Sequence, residues 1–135
     1  SAVTIPFIQV DLPRFLFALE LNLRGIIAVV SPFCHHTMPV AGTIIMADGY
    51  IEDVGAGGGQ TRVQIRNSDR AINYLSTPGD FICGLPLNRR MQNHVLAADL
   101  DFYQGDRIDA NVTTIPGGGM SRDADITLWC LAFNP

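Results

Sequence analysis

Three histidines and a neighbouring cysteine are the side chains of this sequence best suited to hold a metal ion. Cys34, His35 and His36 are consecutive, and His94 lies much further along the chain. Metal ligands on a β-strand must share one face, which requires a spacing of two residues. Because adjacent histidines point to opposite faces and no His-x-His motif is present, we expect no metal site. A small cupin-like metalloenzyme that uses His35, His36 and His94 is the weakest alternative.

The acidic residues and the serines also lack the spacing of a reaction centre. Residues 99–109 and the pair Asp123 and Asp125 are locally acidic, but the EF-hand pattern that directs oxygen ligands at calcium is absent. Acids beside turns usually cap the turns, and calcium binding by the first cluster is left open. Ser76 and Ser121 do not lie in the Gly-x-Ser-x-Gly motif of a nucleophile elbow. The sequence therefore predicts no catalytic residue and no cofactor, and we do not expect an enzyme.

Two glycine-rich runs, at residues 55–59 and 116–119, each separate a pair of strand-like segments. The first run is not followed by the Lys-Ser/Thr of a phosphate-binding loop, and it does not open a helix. Glycine adopts positive φ angles readily, so each run is typical of a hairpin loop. The repeated unit of strand, glycine loop and strand comprises residues 42–54 with 60–66, and residues 105–114 with 124–133.

Alternation of apolar and polar side chains predicts the strands that must position any site. In residues 60–66, Thr61, Val63 and Ile65 point one way and polar side chains the other, which is typical of an antiparallel sheet with one solvent face. Residues 15–23 alternate in the same way, which favours a strand over the helix that their propensity also allows. Eight or nine short strands without a convincing helix predict an all-β fold, an antiparallel β-sandwich of the jelly-roll type.

The segments between the clearest strands are predicted from their turn residues. The expected features are a turn or bulge at Arg24 and Gly25, a loop or irregular edge strand at 31–41, turns at 67–69, 76–80 and 104–106, and a strand at 95–102.

Residues 1–14 are predicted to form an extended N-terminal arm, and residues 15–135 a single jelly-roll domain. Pro6 and Pro13 forbid a regular helix in the arm. Its apolar side chains are expected to lie either under their own domain or on a neighbouring molecule as interface residues; they are Ile5, Phe7, Ile8 and Val10.

The last predicted strand, residues 125–133, is apolar on both faces. Ile126, Leu128, Cys130 and Ala132 alternate with a second apolar row. One face of a strand in a two-sheet sandwich is normally wet, so a partner chain is the natural cover for the other face. The second row supplies the remaining interface residues of the prediction: Trp129, Leu131 and Phe133.

The composition excludes several classes of partner. Of 135 residues, 47% are apolar and 16% charged, with a formal net charge of −4. A net negative chain is poorly suited to the phosphates of nucleic acid, and the apolar run at residues 25–30 is too short to span a membrane. Three cysteines without a Cys-x-x-Cys motif, and no recognisable secretory signal, favour buried free thiols in a protein made in a reducing cytoplasm.

Several motifs together resemble a known family. They are Met-Pro-Val-Ala-Gly-Thr-Ile at 38–44, Gly-Gly-Gly-Gln-Thr-Arg-Val-Gln-Ile at 57–65, Leu-Ser-Thr at 75–77, Gln-Gly-Asp-Arg-Ile-Asp-Ala-Asn-Val at 104–112 and Asp-Ile-Thr-Leu at 125–128. Over roughly residues 38–133 the chain resembles the jelly-roll domains of tailed-phage virion proteins, particularly capsid decoration (cement) proteins and some fibre tips.

The resemblance implies a structural protein of the virion. A decoration protein would be made in the host cytoplasm, stand on the capsid exterior as a homotrimer, contact the major capsid protein and stabilise the shell. The family supplies no catalytic residues. A receptor- or carbohydrate-binding tip domain of a phage fibre is the main alternative, and it would require exposed stacking rings. The candidate stacking residues are Tyr50, Tyr74, Tyr103 and Trp129, of which the last is expected to be buried.

Overall fold

The computed structural model describes residues 15–84, 87–118 and 120–133, and every regular element within them is a β-strand. Within those ranges there is accordingly no helix with the length and hydropathy needed to cross a membrane. The predicted arm at 1–14 lies outside the described residues, together with its interface residues Ile5, Phe7, Ile8 and Val10. The arm and the domain boundaries therefore stay predictions.

The described residues form eleven strands. They are β1 (Leu16–Ile26), β2 (Val30–Thr37), β3 (Gly42–Asp53), β4 (Gln60–Asn67), β5 (Ile72–Asn73), β6 (Leu75–Thr77), β7 (Gly79–Ile82), β8 (Val95–Leu96), β9 (Asp101–Phe102), β10 (Arg107–Thr114) and β11 (Arg122–Ala132).

The strands build two antiparallel sheets that pack against each other, so the chain is an all-β protein with the layers of a β-sandwich, as the sequence predicts. The four-stranded sheet has the order β1-β11-β3-β9, and the five-stranded sheet has the order β2-β10-β4-β5 with β7 also paired to β4. A small third sheet consists of β6 and β8.

The core lies between the two main sheets and is formed by the alternate residues that the sequence predicts to point inward. Leu19, Leu21 and Leu23 of β1 are buried, and so are Ile108 and Val112 of β10 in the opposite sheet. Burial of one such side chain contributes about 1.5–3 kcal/mol relative to exposure. The inward row of β11 is buried as well, which confirms its predicted alternation: Ile126, Leu128, Cys130 and Ala132.

The two glycine loops do not form hairpins, and that prediction was wrong. β3 and β4 lie in different sheets, and so do β10 and β11. Each loop therefore crosses from one sheet to the other, over a distance of about 10 Å. The strands pair between the two repeats instead, β3 with β11 and β4 with β10.

The two crossing loops lie against each other at one end of the sandwich. The Gly117 amide donates to the Gly58 carbonyl oxygen at 3.2 Å. Gly57 has a φ of 86°, and a Cβ on it would lie 3.0 Å from the Gly118 backbone. Glycine thus permits both the positive φ and the close approach of the loops, which explains why both repeats carry it.

Several shorter segments differ from the prediction. The expected turn at 76–80 is mostly strand, since it contains the end of β6 and the start of β7, and the expected strand at 95–102 is two short strands, β8 and β9. Residues 31–41 contain β2, an edge strand. The bulge predicted at Gly25 is present, with a φ of 77° and a register shift after Leu23.

The three cysteines are free, as the sequence predicts, and burial raises the pKa of each thiol. Cys83 and Cys130 are buried, whereas Cys34 is half-buried. Burial raises the pKa of the Cys130 thiol to about 12. Burial, with a smaller contribution from the Asp109 carboxylate, raises the pKa of the Cys34 thiol to about 11.

We therefore expect slow thiol labelling of the folded protein. Because the thiolate is the reactive form, Cys34 should react with Ellman's reagent at pH 8 more than about 100-fold slower than in the unfolded chain. Cys83 and Cys130 should react only on unfolding. Titration with and without urea measures both rates, and rapid labelling of a thiol in the native protein would contradict the environments described.

Candidate functional site

The outer face of the four-stranded sheet is the main candidate for a functional surface. Its side chains project away from the core, and the strand register sets them in transverse rows. The rows across β1, β11 and β3 are Leu16–Leu131–Thr43, Ala18–Trp129–Met46, Glu20–Thr127–Asp48 and Asn22–Asp125–Tyr50. The face is therefore apolar at one end and polar at the other.

We call the apolar end the apolar patch and define it as Leu16, Ile45, Met46, Leu131 and Phe133. Leu16 is 56% exposed, and Ile45 and Met46 are each 49% exposed. Ile45 lies where the register between β3 and β11 shifts, which adds an apolar side chain to this end. Single exposed apolar residues are ordinary on a protein surface, but a contiguous group marks an interaction site.

The polar end contains a groove of about 430 Å³, which we call the sheet groove. Its lining comprises Glu20, Asp48, Gly49, Tyr50, Arg90, Asp125, Thr127 and Trp129. One side is bounded by a segment next to β3, where the Ile51 amide donates to the Arg89 carbonyl oxygen at 2.9 Å and the Met91 amide to that of Gly49 at 2.8 Å.

Ion pairs fix two of the three carboxylates of the sheet groove. The Arg90 Nη2 lies 2.6 Å from Asp48 Oδ2, and the Arg24 Nη2 lies 2.7 Å from Asp125 Oδ1. In the part of the chain that the structure describes, no arginine lies within salt-bridge distance of Glu20. Glu20 is therefore the carboxylate of this groove whose charge is not balanced by any ion-pair partner among the described residues.

The free edge of the four-stranded sheet is a second unusual feature. β1 pairs with β11 on one side, and no described strand pairs with its other side. Natural edges are usually protected by lysine, proline or short length. β1 has 11 residues and contains neither lysine nor proline. Its open backbone groups lie next to the apolar patch, because Leu16 is the first residue of the strand.

The structure places the predicted interface residues Trp129 and Leu131 on this outer face of β11, and Phe133 lies directly after the strand. Leu131 and Phe133 belong to the apolar patch, whereas Trp129 is half-buried and lines the sheet groove. The sequence interpretation that Trp129 is buried was therefore wrong. The sequence analysis named Tyr50 as a stacking ring but missed Asp48 and Arg90, although the outward alternation of β3 opposite Trp129 was the signal that could have found Asp48.

Two of the histidines share one strand, and the third, His94, lies just before β8. His35 and His36 are on β2, where they are paired with Asp109 and Ile108 of β10. The His94 Nε2 lies 2.8 Å from the carbonyl oxygen of Ala47, which belongs to β3 in the other sheet. Among the described residues, no three His, Cys, Asp or Glu side chains are grouped so that they could hold a metal ion.

Three of the four carboxylates at 99–109, those of Asp99, Asp106 and Asp109, are bonded to protein groups. Asp99 Oδ2 lies 2.6 Å from Arg70 Nη2, and hydrogen bonding to that guanidinium lowers the pKa of Asp99 to about 2. Asp106 accepts from the Asn67 side chain and the Tyr103 amide, both at 2.8 Å. These carboxylates therefore serve to hold loops together.

Comparison with known proteins finds no matching family model, no matching curated protein and no matching solved structure. The function is therefore inferred from the apolar patch, the free β1 edge and the sheet groove.

Proposed function

We propose that this protein is a structural virion protein that binds the exterior of a tailed-phage capsid and stabilises the shell as a homo-oligomer, with a trimer as the expected state. The observation that carries the proposal is the apolar patch, which continues from the doubly apolar β11 onto β1 and β3. No described residue covers it. Its proposed cover is a second copy of the chain.

The strand order supports the jelly-roll type that this proposal includes. In a jelly roll, the chain repeatedly passes from one sheet to the other, so neighbours within a sheet are distant in sequence. β1 and β2, β3 and β4, and β10 and β11 are consecutive strands that lie in opposite sheets. The first strand, β1, is paired with the last, β11.

The energetics of the apolar patch favour association. Covering one large apolar side chain contributes up to about 1.5–3 kcal/mol, and Leu16, Ile45 and Met46 are all available. A stable subunit interface, here called the seam, buries about 800 Å² on each partner. The free β1 edge and the apolar side chains of residues 1–14 supply further contacts, with strand addition as the proposed mode.

Self-association is tested with an apolar-to-acid pair of variants. Wild-type protein should sediment at a multiple of its subunit mass. Met46→Glu should dissociate it, with an increase in the dissociation constant of about 100-fold, because the seam would bury an unpaired carboxylate. Val95→Glu is the matched control, since Val95 is 53% exposed and lies on β8 outside the patch. If the wild type is monomeric at high concentration, the proposed association through the apolar patch is wrong.

Capsid binding is tested separately by cosedimentation with shells of the encoding phage that lack this protein. The full chain should sediment with the shells and raise their resistance to heat. Removal of residues 1–14 should abolish sedimentation while circular dichroism and thermal unfolding of the isolated domain remain unchanged. Undiminished binding of the shortened chain would contradict the role proposed for the arm.

A further inference from the structure

The sheet groove combines two aromatic side chains with hydrogen-bonding groups between them. Trp129 and Tyr50 lie on adjacent strands, and the Cα partner of Tyr50 is Asp125, four residues from Trp129. At about 3.4 Å per residue, the Cα atoms of the two residues are offset by roughly 14 Å along the strands. That separation fits a short oligomer of flat units better than one small ring.

The groups between the rings can both donate and accept hydrogen bonds. Asp48 is held in place by Arg90 at 2.6 Å and by the Gly49 amide at 2.8 Å. Glu20 and Thr127 are partners in the strand register and line the same groove. Carboxylates accept hydrogen bonds from the hydroxyl groups of a ligand, and guanidinium groups donate hydrogen bonds to those hydroxyl groups. The threonine hydroxyl can donate or accept.

We propose that the sheet groove binds a neutral oligosaccharide. A sugar ring has apolar C–H faces and a rim of hydroxyl groups, so its faces can pack on Trp129 and Tyr50 while its rim bonds to Glu20, Thr127 and the Asp48–Arg90 pair. The sheet supports this lining rigidly, because the central residues belong to paired strands and not to a loop.

The charge of the groove selects against acidic ligands. Glu20, Asp48 and Asp125 carry three negative charges, and Arg90 together with the adjacent Arg24 carries two positive charges. The balance of one negative charge disfavours uronic acids, sialic acids and nucleotides, whose own charge would be repelled. A neutral sugar makes the same hydrogen bonds without that repulsion.

This site does not require the seam of the proposed function. Trp129 borders the apolar patch, but Glu20 lies one row and Tyr50 two rows further from it. The two proposals can therefore fail independently. If the protein is a monomer that binds sugar, only the proposed self-association is wrong. If it is an oligomer that binds no sugar, only the proposed sugar binding is wrong.

The test uses fluorescently labelled full-length protein on an array of neutral and acidic bacterial and mammalian oligosaccharides, followed by calorimetry with the strongest neutral oligosaccharide. The wild type should bind neutral members. Glu20→Ala should weaken binding about tenfold, because hydrogen bonds to a charged group are lost, and Trp129→Ala should weaken it at least about tenfold.

Glu52→Ala is the matched control. Glu52 is an exposed carboxylate on the same strand as Tyr50 and lies outside the groove lining, so its loss should leave affinity unchanged. Glu20 is exposed, and thermal unfolding should show that Glu20→Ala and Glu52→Ala both fold. The proposal is overturned if no neutral oligosaccharide binds, if Glu20→Ala and the control Glu52→Ala weaken binding equally, or if the groove instead binds an oligo-arginine peptide.

Discussion

Replacing Asn67 with alanine is expected to lower the free energy of unfolding by about 2–4 kcal/mol. Asn67 is fully buried at the end of β4. Its Nδ2 donates to the Tyr74 hydroxyl and to Asp106 Oδ2, each at 2.8 Å, and its Oδ1 accepts from the Arg70 amide at 2.9 Å. Alanine would remove all three bonds at once.

The cost is large because the groups that would lose a hydrogen bond to Asn67 are buried and cannot bond to water instead. Asp106 is buried and would keep only the Tyr103 amide as a described donor. The Tyr74 hydroxyl is also buried and donates to the Asp101 carbonyl oxygen at 2.7 Å. Burial raises the pKa of Tyr74 to about 12, which reflects how strongly this hydroxyl is shielded from water.

Urea unfolding of the wild type, Asn67→Ala and Asn73→Ala measures this effect. Asn73 is the matched control, since it is exposed and its Oδ1 accepts from Arg66 Nη1 at 3.0 Å. Its removal should change the free energy of unfolding by less than about 0.5 kcal/mol. Equal effects of the two substitutions would show that the buried bonds of Asn67 are not the source of stability.

Replacing Gly42 with alanine is expected to destabilise the fold by about 2–3 kcal/mol. A Cβ at this position would lie 2.5 Å from the Leu131 carbonyl oxygen and 2.9 Å from Phe102 Cζ. Gly42 is paired with both neighbouring strands, with Ala132 of β11 and with Phe102 of β9. The clash with backbone can be relieved only by separating paired strands.

Gly58→Ala is the matched control for this substitution. A Cβ on Gly58 would meet no atom within 4 Å, and its φ is not in the left-handed region. We expect a change below about 0.5 kcal/mol, measured by urea unfolding of both variants. If Gly42→Ala is as stable as Gly58→Ala, the close approach of β3, β11 and β9 described above is wrong.

The strands with the clearest alternation could be predicted from the sequence. The leucines at 19, 21 and 23 alternate with polar side chains, and this pattern outweighed the helix propensity of the same segment. The inward-pointing rows of β10 and β11 could be predicted in the same way. Alternation works in these strands because one face of each is buried in the core, so a shift of one residue would expose the whole apolar row.

The pairing of those strands could not be predicted. The glycine runs at 55–59 and 116–119 indicate that the chain reverses, but a loop of that length can return within a sheet or cross to the opposite one. Local turn chemistry is compatible with both. The contact of Gly58 with Gly117 decides between them, and it joins residues far apart in the sequence.

The sheet groove likewise could not be predicted residue by residue. Trp129 in an apolar strand looked like a core residue, since a pattern that is apolar on both faces does not say which face is covered. Asp48 and Arg90 are unremarkable in the sequence, and Tyr50 is only one of several candidate stacking rings. They become a site with Trp129 only because β3 is paired with β11 and the segment at 89–91 lies beside β3.

The sequence alone determined the strand class, the inward rows of the core, the glycine-rich reversals and the excess of apolar side chains on the last strand. These are local properties, set by side-chain periodicity and by the φ angles that glycine allows. Only the tertiary structure decided which strands pair, which apolar row stays uncovered and which polar groups meet in a groove. Those outcomes depend on contacts between distant segments, which no local pattern encodes.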